Sequence, residues 1–162
     1  VIIIKPMIDT KGNDTILSRL GFKRKVDLLV TKEDDIQVLV REKYPNVDCI
    51  LVDEVQFLTP EQVDQLFYLV VVDRIPVICY GLRTDFLMNG FPGSERLLLL
   101  AHSIEELKTI CRCGKKALFN GRKVGGRFVF HGEQVAIDGE EEIGYESLCG
   151  ECYMKHRGES RE

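Results

Sequence analysis

Apolar positions follow two rhythms along the chain. A β-branched run at residues 1–4 stops at Lys5-Pro6, which predicts a strand followed by a turn. Residues 9–19 are polar, contain Gly12 and Asn13, and read as a loop. After the short apolar run 28–30, charges alternate with Ile36, Val38, Leu39 and Val40 across residues 32–43. That pattern predicts a helix, which Tyr44-Pro45-Asn46 ends. Residues 47–53 form a second β-branched run and terminate on two carboxylates, Asp53 and Glu54. Thr59-Pro60-Glu61-Gln62 is a helix start, with Thr59 as N-cap, Pro60 at the first helical position and Gln62 closing a capping box. Val63, Leu66, Phe67 and Val70 continue it at helical spacing. Pro76 leads into a further strand at 77–80, closed by Gly81.

Strands alternating with helices predict βαβ units around a parallel sheet. Strands this continuously apolar predict a sheet covered on both faces. From Leu107 the character changes to cysteine pairs, glycines and short alternating runs, and residues 127–130 and 134–137 suggest a small β-ribbon. The boundary is placed near Lys108, giving an α/β domain at 1–107 and a small second domain at 108–162. The polar stretch from His156 onward is expected to fray. No internal repeat or low-complexity segment is present.

Composition narrows the function classes. The 162 residues carry 22 Lys+Arg and 26 Asp+Glu, a net charge of −4, with 44% hydrophobic residues. This is globular composition and argues against a dedicated double-stranded DNA binder. No apolar run, the longest being the seven residues 66–72, is long enough to span a membrane. The opening residues lack the pattern of a secretory leader, so the expected compartment is the cytoplasm. Because the sequence starts directly on an apolar run, an upstream segment is also expected.

Six cysteines divide into two sets. Cys49 and Cys79 sit singly in apolar runs and read as core residues. Cys111-Arg-Cys113 and Cys149-Gly-Glu-Cys152 are paired. Four thiolates on two tight turns suit a tetrahedral Zn²⁺, which would stabilise a ribbon too small to have much core. The alternatives are four unligated thiols or a redox pair. His156 is a lesser candidate ligand. Between Glu106 and Glu133 stand seven Lys/Arg and no acid, either balancing thiolate charge or forming a solvated face.

Asp53-Glu54 lies where open α/β sheets place ligands, at the carboxyl end of a buried strand. There an Asp holds Mg²⁺ in phosphate-transferring folds, and a neighbouring carboxylate accepts the proton of an attacking hydroxyl. The plainer reading is two acids in a turn before a helix. Residues 81–94 are glycine-bearing and aromatic, either a cradle for a planar ligand or a connection. Residues 132–145, polar and also glycine-bearing, either lid a pocket or link two elements.

Together these stretches resemble the type II thymidine kinases, the zinc-containing cellular and bacterial class, over almost the whole chain. The resemblance is carried by Val1-Ile-Ile-Ile-Lys-Pro-Met-Ile-Asp-Thr, by Leu51-Val-Asp-Glu-Val-Gln-Phe-Leu-Thr with its D-E-x-Q-F signature, and by Cys79-Tyr-Gly-Leu-Arg-Thr-Asp-Phe. Thr109-Ile-Cys-Arg-Cys-Gly-Lys-Lys-Ala, Gly132-Glu-Gln-Val-Ala-Ile-Asp-Gly and Tyr145-Glu-Ser-Leu-Cys-Gly-Glu-Cys-Tyr complete it. It implies a P-loop-type parallel sheet flanked by helices, plus a small C-terminal zinc-ribbon-like domain with a lasso loop. It implies phosphorylation of the thymidine 5′-hydroxyl by ATP, with Mg²⁺ and a structural Zn²⁺ held by Cys111, Cys113, Cys149 and Cys152.

Residue by residue, the resemblance implies Glu54 as the catalytic base. Asp9, Thr10, Lys11, Asp53, Glu54, Val55 and Gln56 would border ATP, with Asp53 on Mg²⁺. Phe57, Leu82, Phe86 and Phe91 would wall the thymine ring. Gln134, Val135, Ala136, Ile137 and Asp138 would meet the base edge, with Tyr145 nearby. The sequence departs from the family in having Lys11 where Arg is frequent, Asp138-Gly139 where Gly-Gly is usual, and an acidic insert, Glu140-Glu141-Glu142.

The G-x-x-x-x-G-K-[ST] phosphate loop is absent from these residues, and phosphate transfer is expected to need an upstream segment carrying it. The family further implies a homotetramer and feedback inhibition by thymidine triphosphate. The competing reading is a noncatalytic zinc-ribbon module that binds nucleic acid or a protein, favoured by the basic stretch.

Overall fold

The computed structural model describes residues 1–8, 14–17, 23–134 and 143–160. They form two compact units: Val1–Arg83 with Phe91–His102, and Thr84–Gly90 with Ser103–Glu162.

The first unit begins with β1 (Ile2–Pro6), followed by a small antiparallel pair, β2 (Thr15–Leu17) and β3 (Lys23–Lys25). Thr15, Ile16 and Leu17 were expected in a loop. They form a strand because Lys25, Arg24 and Lys23 supply pairing partners, a signal that no local pattern carries. Next come β4 (Leu28–Val30), α1 (Ile36–Lys43), β5 (Ile50–Val52), a 3₁₀ turn at Val55–Phe57, α2 (Pro60–Val71), β6 (Val77–Cys79) and α3 (Pro92–Leu100). The four longer-range strands make one parallel sheet in the order β4-β1-β5-β6. Register pairs Ile3 with Leu51 and Leu51 with Ile78.

Two helix starts show how side chains set boundaries. Helix α1 starts at Ile36, four residues later than its charge pattern suggests. The Asp34 carboxylate accepts from the backbone N–H and the hydroxyl of Thr31 at 2.7 and 2.9 Å, holding residues 31–34 in a turn. Asp35 then caps the helix by accepting from the Val38 N–H at 3.0 Å. Helix α2 has the expected capping box between Thr59 and Gln62. The Gln62 amide also donates to the Thr31 and Asp34 carbonyls, so the cap fastens α2 to the turn before α1.

The core joins Ile2, Ile4, Leu28, Val30, Ile50 and Val52 from one sheet face to Ile36, Val40, Val63, Leu66 and Leu69. Leu97 and Leu100 of α3 pack against it. On α2 the buried stripe runs through Val63, Leu66 and Leu69, leaving Phe67 and Val70 half-buried. The helices of the core pack on the face of Ile4 and Val52; on the opposite face Ile3 is buried, Leu51 half-buried and Ile78 exposed.

The second unit contains β7 (Thr109–Ile110), β8 (Lys116–Ala117), β9 (Phe119–Val124), β10 (Arg127–Val129), β11 (Ile143–Leu148) and α4 (Gly150–Glu159). Strands β7 and β8 form a hairpin, and β10-β9-β11 is an antiparallel sheet. The ribbon expected from 127–130 pairs with Phe119–Val124, and Gln134 is not in a strand. The chain stays helical to Glu159, beyond the expected fraying point at His156.

This unit's core gathers Cys111, Ala117, Leu148, Cys149 and Tyr153 around Met88, Phe119, Phe128 and Phe130. Tyr153 is fully buried and its hydroxyl donates to the Phe86 carbonyl at 2.7 Å, so Thr84–Gly90 belongs here and not with the sheet that precedes it. No helix among the described residues is long and apolar enough to cross a membrane.

Candidate active site

At the carboxyl end of β5 the chain turns sharply. Glu54 adopts a left-handed backbone, φ 54° and ψ 38°, uncommon for a residue with a side chain. The turn continues into the 3₁₀ segment, where Phe57 N–H donates to the Glu54 carbonyl and Leu58 N–H to that of Val55. Gln56 is buried and its amide spans the site. Nε2 donates to the Glu54 carboxylate at 2.5 Å, and Oε1 accepts from the Leu82 N–H at 3.1 Å. Glu54 is thus steered through one oxygen, Oε2, and among the described residues Oε1 has no hydrogen-bond partner. Asp53, half-buried beside it, lies 4.0 Å from the Lys5 ammonium at the end of β1.

The wall beside this turn is the start of α3. Ser94 Oγ donates to the Leu82 carbonyl at 2.6 Å. A Cβ at Gly93 would lie 2.5 Å from the Leu58 carbonyl oxygen and 2.7 Å from that of Val55, so only glycine lets α3 approach the 3₁₀ turn. Phe57 and Phe91 meet edge-to-face with ring centroids 5.5 Å apart. Val55 is buried and its N–H is donated to the Tyr80 carbonyl.

Of the residues anticipated from sequence, Asp53, Glu54, Val55, Gln56, Phe57, Leu82 and Phe91 come together in the first unit. Phe86, Gln134 and Tyr145 lie in the second. There Asp85, buried, accepts from the N–H groups of Leu87 and Asn89 and from Gln134 Nε2 at 3.2 Å. Asp9, Thr10, Lys11, Val135, Ala136, Ile137 and Asp138 lie outside the described residues. Lys5 was assigned no role from sequence, and Asp85 and Ser94 entered only as members of the 81–94 stretch. A lysine closing an apolar strand and an Asp four residues before Asn89 were the available signals.

The profile of the family described as Thymidine kinase matches residues 1–153. The chain belongs to the thymidine kinase family. It is 46% identical over 146 residues to a thymidine kinase of Chromobacterium violaceum, covering 90% of this chain and 76% of that protein. It is 41% identical over 162 residues to one of Idiomarina loihiensis, covering 98% and 82%. Membership of the thymidine kinase family makes it a phosphotransferase with thymidine as acceptor.

The second feature of this kinase is the cysteine cluster. The Sγ atoms of Cys111, Cys113, Cys149 and Cys152 all lie within 4.8 Å of one another, and Cys113 and Cys149 are 3.6 Å apart. A tetrahedron with Zn–S bonds of about 2.3 Å has edges of about 3.8 Å, so the spacing fits a metal. Cys111 and Cys113 lie in the β7–β8 turn, which Cys111 N–H closes by donating to the Lys115 carbonyl. Gly114, at φ +87°, supplies the left-handed residue that the turn needs. Cys149 caps α4 and Cys152 stands within that helix, so the second pair comes from a helix start and not from a second hairpin.

Backbone donors on Cys113, then Cys149, pull the Cys111 thiol down to about 6. Hydrogen bonding with Cys149, then Cys113 and Cys111, pushes Cys152 up to about 12. A metal bound here would take all four sulfurs as thiolates and release their protons.

The basic stretch is largely neutralised. Arg112 and Lys123 pair with Glu146, Lys115 with Glu151 and Lys116 with Glu106, while Arg122 is buried. It does not form the open cationic strip that the nucleic-acid reading requires.

Proposed function

We propose that the protein transfers the γ-phosphoryl group of ATP to the 5′-hydroxyl of thymidine, yielding thymidine monophosphate and ADP for DNA-precursor salvage. Glu54 is the base that takes the 5′-hydroxyl proton as the oxygen attacks the γ-phosphorus and the bond to the β-phosphate oxygen breaks. The observation that carries this reading is the Glu54 carboxylate itself. It stands at the carboxyl end of a parallel strand, in a left-handed turn, with one oxygen held by Gln56. Such a turn is costly to maintain, and strain of this kind is concentrated at working sites.

Asp53 is the residue that would hold Mg²⁺, whose charge offsets that of the phosphates. Asp9, Thr10, Lys11, Val55 and Gln56 are proposed to border ATP. Phe57, Leu82, Phe86 and Phe91 are proposed to wall the thymine, with Gln134, Val135, Ala136, Ile137, Asp138 and Tyr145 around its polar edge. Zn²⁺ on Cys111, Cys113, Cys149 and Cys152 is structural, since four thiolates leave no open position for chemistry. A homotetramer, inhibition by thymidine triphosphate and a cytoplasmic location complete the proposal and rest on family resemblance.

Glu54→Gln in the full-length protein is the test. It keeps the hydrogen-bonding shape and removes the base. Turnover is expected to fall by about 10²–10⁴-fold, with thymidine binding retained by calorimetry. Unchanged turnover would sink the assignment of the base.

A further inference from the structure

Arg122 is the least economical side chain in the second unit. It sits on β9, the central strand, and is only 4% exposed, yet no carboxylate pairs with it among the described residues. A buried cation of this kind costs stability, and an apolar residue would serve a core better. Its contacts are neutral and specific. Nε donates to the Tyr145 hydroxyl at 3.1 Å, Nη1 to the Glu133 carbonyl at 2.7 Å and Nη2 to the Gln134 carbonyl at 2.9 Å. The guanidinium carbon lies 3.6 Å from the centroid of the Phe86 ring. One planar fork therefore fixes three stretches that are remote in sequence: the Thr84–Gly90 loop, the Glu133–Gln134 backbone and β11.

Two consequences follow from donor directions. Gln134 is clamped at both ends, its carbonyl by Arg122 and its side-chain amide by Asp85 Oδ2 and the Gly90 carbonyl. The Tyr145 hydroxyl accepts from Arg122, so its own proton must point elsewhere. Tyr145 is exposed, and its hydroxyl keeps one proton to donate to a group other than Arg122.

We propose that Arg122 is a positioning residue for the nucleoside, setting Phe86, Gln134 and Tyr145 together and aiming the Tyr145 O–H as a donor to it. This rests on the thymidine reading above. Lysine keeps the charge but cannot reproduce the fork.

The test uses Arg122→Lys, Tyr145→Phe and the double variant in the full-length protein, with KM for thymidine and for ATP, kcat, zinc content and thermal midpoint measured for each. Arg122→Lys is expected to raise the thymidine KM about tenfold or more, with the ATP KM within about twofold and zinc unchanged. Tyr145→Phe is expected to raise the thymidine KM less, and the double variant to be no worse than Arg122→Lys alone, because both remove one hydrogen bond.

A thymidine KM unchanged in Arg122→Lys overturns the proposal, and so does an equal rise in both KM values with a lowered midpoint, which marks a purely structural role. If Arg122→Lys does not fold, Tyr145→Phe decides alone, and its unchanged thymidine KM refutes the donor assignment. A wild-type protein that phosphorylates no thymidine overturns the functional reading and this proposal with it. That outcome is visible before any variant is made.

Discussion

At the scale of single residues, the candidate site is built from tight approaches more than from charge. Gln56 occupies a buried position with an amide because both of its ends are needed, one on Glu54 and one on the Leu82 N–H. Gly93 permits the approach of α3. Its Cβ would strike main-chain carbonyls, which cannot swing aside as a flexible side chain would. Gly93→Ala is therefore expected to destabilise the protein by about 1–3 kcal/mol, read as a lowered midpoint in thermal melts. The D-E-x-Q-F stretch was legible in sequence because its spacing is local. Lys5 beside Asp53 was not legible, because that pairing depends on β1 lying next to β5.

Elements are fastened to one another by a few polar links over an apolar core. Helix α1 is tied to the end of α2 by Arg41, whose Nε and Nη2 donate to the two Asp73 carboxylate oxygens at 2.9 and 2.8 Å. That hydrogen-bonded guanidinium holds the Asp73 carboxyl below the usual carboxylate range. A carboxyl depressed in the folded state adds stability above its unfolded pKa, and that stability is lost as pH falls through the lower folded value. The link is thus expected to be intact at neutral pH and to disappear below about pH 4. Asp73→Asn should melt below wild type at pH 7, and the gap should close as the pH is lowered through the acid range. Melting curves that remain separated in acid would refute the attribution.

For the molecule as a whole, a metal held by the four thiols is predicted to decide whether the second unit stays folded. Its apolar core is small and three of the four thiols belong to it, Cys111 and Cys149 buried and Cys152 packed alongside. Structural zinc in small domains contributes on the order of 10–16 kcal/mol of apparent binding free energy at neutral pH, which is folding free energy there. Chelation, or Cys149→Ser, is expected to unfold this unit. Limited proteolysis should then cut within residues 103–160 and spare the α1–α3 layer. Native mass spectrometry should find one zinc per chain before treatment and none after. A protein that loses zinc and stays protected from protease would show that the cluster is not structural.

What the sequence determined by itself was chemistry between near neighbours. The alternation of strands with helices, the Thr59–Gln62 capping box, the acids that end β5 and the two cysteine pairs are all set by residues a few positions apart. Tertiary structure decided what depends on remote partners. Strand β2 forms because β3 lies against it, and β10 pairs with Phe119–Val124 and not with Gln134. Thr84–Gly90 joins the second unit because Tyr153 and Arg122, far along the chain, hold Phe86. Propensity, capping and ligand type act through local geometry and can be read from the chain. Burial and strand pairing are properties of contacts made only once distant segments have come together, and no local pattern encodes them.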